Sequence, residues 1–325
     1  FSDARRRRLP AATGCERLRR GGTAPARRYR DPMRVGTSIR SFYPEGDPRV
    51  IARSMIERAA AARRAGLDSL FLGDHHATTE PYMQNVPMLG RLLAEWGDEP
   101  FGALFLLPLW NPVLLAEQIG TLAAIGTGRF IAQVCVGRDP AQFQAMGADP
   151  RTRGAVFGRH FEIVSRLLAG EAVDGHRIAP VPVEPVSFWI GASAPVAVER
   201  AARLADAWLV DPGLPAAPAA EQLRDYRALC DRLGRAPQAT PIRRNLHVAA
   251  DERELERYVR PALAQAGPGV TPEATIIGTI DQVAEAFRSL EAAGFDQVIA
   301  RHFVEEPAAV IESIERLGEV RRRVV

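Results

Sequence analysis

An α/β fold, a closed (β/α)8 TIM barrel with insertions after strands 4 and 7, is what this sequence of 325 residues predicts. Three observations carry the prediction. Apolar segments of strand length alternate with longer helical segments from Met33 onward. The strands are unbroken apolar runs, as expected when both faces of a parallel sheet are buried. No Gly-rich dinucleotide fingerprint follows the first strand, which argues against an open doubly wound sheet.

Residues 34–39 read as the first strand and 49–65 as a helix stopped by Gly66, a residue suited to the left-handed position beyond a helix end. Strands are expected at 69–73, 101–107 and 130–136, with helices at 88–96 and 113–125 between them. Farther on, 187–190, 207–210, 242–248 and 297–300 complete the eight strands. Helices are expected at 160–168, 195–204, 219–233, 252–265 and 280–293, and Thr279 with Gln282 forms a capping box ahead of the last. Two connections exceed ordinary loop length. Segment 139–186 carries Pro180, Pro182 and Pro185, and segment 249–277 holds an extra helix and Gly267, Pro268, Gly269. Long insertions at the carboxyl face of a barrel commonly form lids or substrate walls.

Composition bounds the function classes. Apolar and charged fractions of 46% and 25% are those of an ordinary globular protein, and every basic residue other than histidine is arginine. Ten arginines against Asp3 and Glu16 fall in residues 1–30, so the net charge of +3 becomes −5 without them. The basic character therefore does not sit on the folded domain, which excludes a nucleic-acid patch there. Residues 1–32 are expected to be a disordered arginine-rich leader ahead of a start at Met33, with 33–325 the barrel domain. Neither a signal peptide nor a membrane span is legible. Three irregularly spaced cysteines, Cys15, Cys135 and Cys230, point to a reducing cytoplasm with neither disulfides nor a zinc site.

Barrel enzymes build their sites from titratable groups at the carboxyl ends of successive strands, and several stand there. Asp74, His75 and His76 close the second strand, Trp110 and Asn111 follow the third, and Cys135 closes the fourth. Gly191, Ala192 and Ser193 open onto the helix after the fifth, where free backbone N–H groups and the helix dipole favour a phosphate; the competing reading is that Ser193 caps that helix. His75 can donate or accept a proton near neutrality, and the competing reading is a structural histidine with Asp74 as its orienting partner. His76 reads first as structural and second as a pocket residue. Cys135 lines the site by position, since most buried cysteines simply pack. Tyr82, Trp110 and His302 are further pocket candidates.

Taken in order and spacing, Gly73-Asp74-His75-His76, Pro108-Leu109-Trp110-Asn111-Pro112 with Ala116-Glu117-Gln118, Gly128-Arg129-Phe130, Trp189-Ile190-Gly191-Ala192-Ser193, Asp206-Ala207-Trp208 and Ile277-Gly278-Thr279 resemble the luciferase-like flavin-dependent monooxygenase family. The resemblance runs from about Met33 to the C-terminus. It implies a barrel, usually dimeric, that binds reduced FMN or the deazaflavin coenzyme F420 at the carboxyl ends of its strands. It places His75 at the catalytic histidine and Cys135 at a thiol near the flavin. Val136 stands where a phosphate-touching arginine is found, which moves that contact to Arg138. Asp74 replaces a common glutamate, Asn111 a common histidine, and Ala194 a second serine.

The function so implied is a two-component, FMNH2-dependent monooxygenase oxidising a small organic substrate, with a separate flavin reductase as partner and no nucleic-acid or membrane partner. An F420-dependent dehydrogenase or reductase is the first alternative. A flavin-binding barrel without turnover is the alternative from another class.

Overall fold

The computed structural model describes residues 32–43, 46–265 and 270–325. Among these, nine strands form one parallel sheet: β1 (Arg34–Ile39), β2 (Leu70–Leu72), β3 (Phe101–Leu106), β4 (Phe130–Cys135), β5 (Ser187–Gly191), β6 (Ala207–Leu209), β7 (Pro241–Val248), β8 (Ile276–Gly278) and β9 (Gln297–His302). Their order is β6-β5-β4-β3-β2-β1-β9-β7-β8. Isolated parallel bridges from Ala207 to Ala239 and from Val210 to Ile242 set β6 beside β7, so the sheet curls round on itself.

Helices interleave with the strands: α1 (Pro48–Arg64), α2 (Asn85–Leu92), α3 (Pro112–Ile125), α4 (Pro140–Ala145), α5 (Arg153–Leu168), α6 (Pro195–Leu204), α7 (Ala216–Arg232), α8 (Glu252–Glu254), α9 (Arg260–Ala264), α10 (Ile280–Ala292) and α11 (Pro307–Val324). Their boundaries have local causes. Asp47 caps α1 with Pro48 in its first turn, and Gly66 at φ +71° ends it. Asn111 caps α3, its Oδ1 accepting from the amides of Val113 (3.0 Å) and Leu114 (3.1 Å). The expected capping box at Thr279 and Gln282 is formed.

Two departures from the sequence reading have physical reasons. Ile276–Gly278 is a ninth strand on the end of β7, pairing with Leu246–Val248. Its first two residues close the segment 249–277 that the sequence reading takes as a single connection. The helix expected over 252–265 is broken into α8, a π turn at Leu255–Val259 and α9. Pro261 lacks the N–H that a regular α-helix would need there. Residues 1–31 and Gly267, Pro268 and Gly269 lie outside the described residues.

Side-chain alternation positions the site. Phe71, Ile131, Trp189, Leu209 and Ile299 pack together inside the curl, with Phe71 and Trp189 rings 5.6 Å apart. Two residues onward along the same strands stand Gly73, Gln133, Gly191, Asp211 and Arg301. Another two bring His75, Cys135 and Ser193. The lumen is thus apolar at one end and polar at the carboxyl ends of the strands. Residues of the opposite parity, such as Leu70, Leu72, Val134, Ile190 and Val298, belong to the larger core under the helices.

Candidate active site

The end of β2 is held from three directions. Asp74, 6% exposed, uses Oδ2 to accept from the Leu106 amide (2.7 Å) and from Trp110 Nε1 (2.8 Å). Its Oδ1 lies 3.2 Å from His76 Nε2, off the hydrogen-bond direction. The His76 ring meets Trp110 edge-on at 5.6 Å, and Trp110 meets Phe105 at 5.5 Å. Asp74, His76 and Trp110 therefore form a brace that ties β2 to β3 and the turn after it. This corrects the expectation that Asp74 orients His75 by direct contact, since among the described residues no bond joins the two side chains.

The residue that does orient His75 is Gln142, on α4. It is 4% exposed, and its Oε1 faces the His76 amide at 3.3 Å while its Nε2 lies 2.7 Å from His75 Nδ1 and 3.4 Å from Nε2. A backbone N–H can only donate, so the amide atom facing His76 must be the oxygen. The amide nitrogen is then the atom that donates to His75 Nδ1. With the nearer Nδ1 as the acceptor, neutral His75 carries its proton on Nε2. Burial holds the His75 pKa below its ordinary value, partly offset by the fields of Asp139 and Asp74. A proton added at Nδ1 would also point at the Gln142 amide hydrogens. Gln84 Nε2 binds the His75 carbonyl at 3.0 Å, and the His75 ring packs on Tyr82 at 5.7 Å.

Across the mouth, Cys135 packs with Leu106, Leu109 and Phe143. Burial pushes its thiol up to about 11, only partly offset by the Gly137 amide. It is a protonated, packing thiol at neutral pH. Arg138 is exposed beyond it. At the end of β5, the Ala192 carbonyl accepts from Trp208 Nε1 (2.8 Å) and the Ser193 carbonyl from Gln222 Nε2 (2.8 Å). The N-cap of α6 is Ala194, with Pro195 in the first turn, so Ser193 does not cap this helix as the competing reading supposed. Gly191 has no strained φ; its place keeps the backbone close to Cys135, whose Cβ would lie 3.5 Å from an added methyl.

The third side of the mouth is basic. Arg243 shares the parity of Ile299, its register partner, and Arg301 follows two residues later on β9. Burial lowers the pKa of both, that of Arg301 to about 10, with Arg243 and Arg40 adding repulsion. Arg301 Nη1 reaches Asn245 Oδ1 at 3.5 Å, and Arg243 Nε has no partner. Arg40, by contrast, is neutralised by Glu305 (3.0 Å) and two backbone carbonyls. Burial also raises the Tyr82 pKa, while Arg301 and Arg243 pull it down.

His302 is not part of this mouth. It alternates away from Arg301, is 4% exposed, and sets Nε2 3.1 Å from Ser313 Oγ on α11. Burial and the field of His247 push it down to about 3. The pocket assignment from sequence is corrected by strand parity: if Ile299 faces inward, residue 302 faces out. Gln142, Arg243 and Arg301 were the residues missed. The adjacent arginines of β7 were the available signal for Arg243, because one of two neighbours in a strand must face the lumen.

Comparison with known proteins gives the family. A sequence profile described as luciferase-like monooxygenase matches residues 33–274. An uncharacterised protein of Mycobacterium tuberculosis is 32% identical over 118 residues, 34% of this chain and 41% of that protein. An F420-dependent glucose-6-phosphate dehydrogenase of Nakamurella multipartita is 27% identical over 204 residues, 56% of this chain and 57% of its own length. An alkanal monooxygenase alpha chain from the Kryptophanaron alfredi symbiont is 23% identical over 197 residues, 56% of this chain and 53% of its own. The chain thus spans about half the length of the curated relatives it matches. Two solved structures share the fold. The FMN-bound oxygenating constituent of 3,6-diketocamphane monooxygenase from Pseudomonas putida has a TM-score of 0.74 at 17% identity, covering 91% of this chain and 99% of that one. An F420-dependent secondary alcohol dehydrogenase gives 0.75 at 14%, covering 91% and 100%. With the profile matched over most of its length, the chain belongs to the luciferase-like monooxygenase family.

Proposed function

We propose that this protein is a flavin-dependent monooxygenase of the two-component kind, using reduced FMN supplied by a separate reductase to oxidise a small organic substrate. The curled sheet is read as a closed (β/α)8 barrel whose insertions after β4 and β7 wall its carboxyl face, in a homodimer. The observation that carries the reading is the His75–Gln142 pair. Neutral His75 presents Nε2–H, a hydrogen-bond donor, at the strand mouth. A donor suits an oxygen atom gaining negative charge during oxygen transfer.

The residues fit a reduced flavin. The orphaned Arg243 Nε and the half-buried Arg301 supply cationic character inside the lumen, suited to an anionic ring or tail. Gly191, Ala192 and Ser193, with Arg138, are the proposed phosphate contacts. Bound FMNH2 would supply the reduction of oxygen. Cys135, Leu106 and Phe143 exclude water from that wall, while Gln142 fixes the His75 tautomer and ring.

The F420-dependent dehydrogenase is the second reading, and the two arginines favour it, since they also suit an anionic substrate such as a sugar phosphate. Oxidising an alcohol requires an unprotonated ring nitrogen facing the hydroxyl. Here that needs the Gln142 amide to flip and break its bond to the His76 amide. Titrating the protein with FMNH2 and with reduced F420 under anaerobic conditions, and following tryptophan fluorescence, separates the readings. Tight FMNH2 binding with oxygen-dependent turnover is expected. Binding of F420 alone would overturn the first reading, and binding without turnover on any tested substrate would favour a flavin-binding barrel that does no chemistry.

A further inference from the structure

Arg244, beside Arg243 on β7, faces the opposite way. It emerges under the helices, is 2% exposed, and lines a cavity of about 310 Å³ between β7, α7, β8 and α10. Its Nη1 donates to the Arg243 carbonyl (3.2 Å), but its Nη2 has no partner. A buried guanidinium without a carboxylate is costly, and native structures pair such charges. The field of Asp211 only partly offsets the burial, and that carboxylate already receives the Gly213 amide at 2.9 Å.

The rest of the cavity adds to the same polarity. Helix α7, 17 residues long, begins at the cavity with Ala216 and Ala217, and Pro215 before it offers no side-chain cap. The positive end of the α7 dipole and the free amides of Ala216 and Ala217 therefore border the cavity that Arg244 lines, while Pro218, the third residue, has no N–H. The remaining wall is mostly small and apolar, with Ala220, Ile276 and Leu290, while Ser289 and Thr275 supply hydroxyls. Glu273 stands on the lining as the one acidic group there among the described residues.

We propose that this cavity is a second binding site, separate from the lumen, for a small organic oxyanion with a short apolar body, held by the Arg244 guanidinium and the α7 amides. Phosphate monoesters and carboxylates share the required chemistry. The oxygens would complete the Nη2 hydrogen bond, and the apolar part would lie on the alanine wall.

Calorimetric titration of the full chain with inorganic phosphate, n-butyl phosphate and n-butyrate, with and without saturating FMN, tests this. Saturable binding of butyl phosphate or butyrate, tighter than inorganic phosphate and indifferent to FMN, is expected; the tighter of the two names the oxyanion. Arg244→Met should weaken it at least roughly tenfold. Ala220→Leu, which fills the cavity without touching the charge, should weaken it too, and Glu273→Gln should strengthen it. Displacement by FMN would overturn the proposal, as would equal affinity in wild type and Arg244→Met or absence of saturation. Should Arg244→Met not fold, unchanged affinity in both Ala220→Leu and Glu273→Gln overturns it on its own.

Discussion

The two sides of the strand mouth are built on opposite terms. On the β2 and β3 side, most polar atoms have partners: Asp74 serves the Leu106 amide and Trp110, and Gln142 serves both His75 and the His76 amide. On the β7 and β9 side, half-buried Arg301 reaches Asn245 at 3.5 Å and half-buried Arg243 leaves its Nε without a partner. A satisfied network fixes geometry, as a proton-handling group requires. A side short of counter-charge keeps its electrostatic attraction for something that arrives. We read the first as the side that performs chemistry and the second as the side that recruits charge.

The largest effect expected breaks the first side. His75→Ala should lower turnover by about 10²–10⁴ while cofactor affinity changes little, measured by steady-state kinetics beside binding titration. Gln142→Glu sharpens the same point. A carboxylate there would accept from the His76 amide and from Nδ1–H, raising the His75 pKa and turning Nε2 into an acceptor. The pH profile of turnover should move upward accordingly. An unmoved profile in Gln142→Glu would show that this amide does not set the protonation of His75.

The second side predicts a trade. Arg301→Met should weaken an anionic cofactor or substrate by about ten- to a hundredfold, the worth of a charge-assisted bond. It should also raise the melting temperature of the ligand-free protein, because an incompletely paired half-buried cation is removed. Lower stability together with unchanged affinity would assign Arg301 to the structure and end the contrast between the sides.

The difference between the sides also explains what the sequence made legible. The strands, the family motifs and the placing of His75 at a strand end followed from apolar runs and local spacing. Gln142 did not, because it reaches His75 from a six-residue helix across 67 positions, a pairing only the fold creates. Asp74 and His76 stood in the motif, yet their role as a brace depends on Trp110, whose indole turns back to the carboxylate. Strand parity would have separated Arg301 from His302, and Arg243 from Arg244, had the inward residue of β9 been known. β8 was hidden at the end of a segment read as one long connection, whereas β2 and β6, equally short, were legible.

A third compartment, behind β9, sharpens the contrast by burying a titratable group with only a neutral partner. His302 is pushed down to about 3 against an ordinary value near 6.5. Because the folded pKa lies below the unfolded one, the unfolded chain binds the extra proton, and stability falls as pH drops below about 6.5. Between pH 7.5 and 5 the loss attributable to His302 is about 2 kcal/mol. His302→Gln, which can still bond to Ser313, should flatten that part of the denaturation profile. An equally steep profile in the variant would place the acid sensitivity elsewhere, with His247 the next group to test.

The smallest effect concerns Ser193, which sits between the two sides at the start of α6. Since Ala194 rather than Ser193 occupies the N-cap, Ser193→Ala removes no capping bond, and stability should stay within about 0.5 kcal/mol of wild type. Its hydroxyl is exposed and free to meet a phosphate at the helix N-terminus. A single bond to a charged oxygen is worth about 1.5 kcal/mol, so FMN should bind roughly tenfold more weakly in the variant while riboflavin, which lacks the phosphate, binds as before. Equal losses for FMN and riboflavin would mean that residue 193 supports the ring pocket, and the phosphate contact would then pass to Arg138 or to the arginines of the basic side.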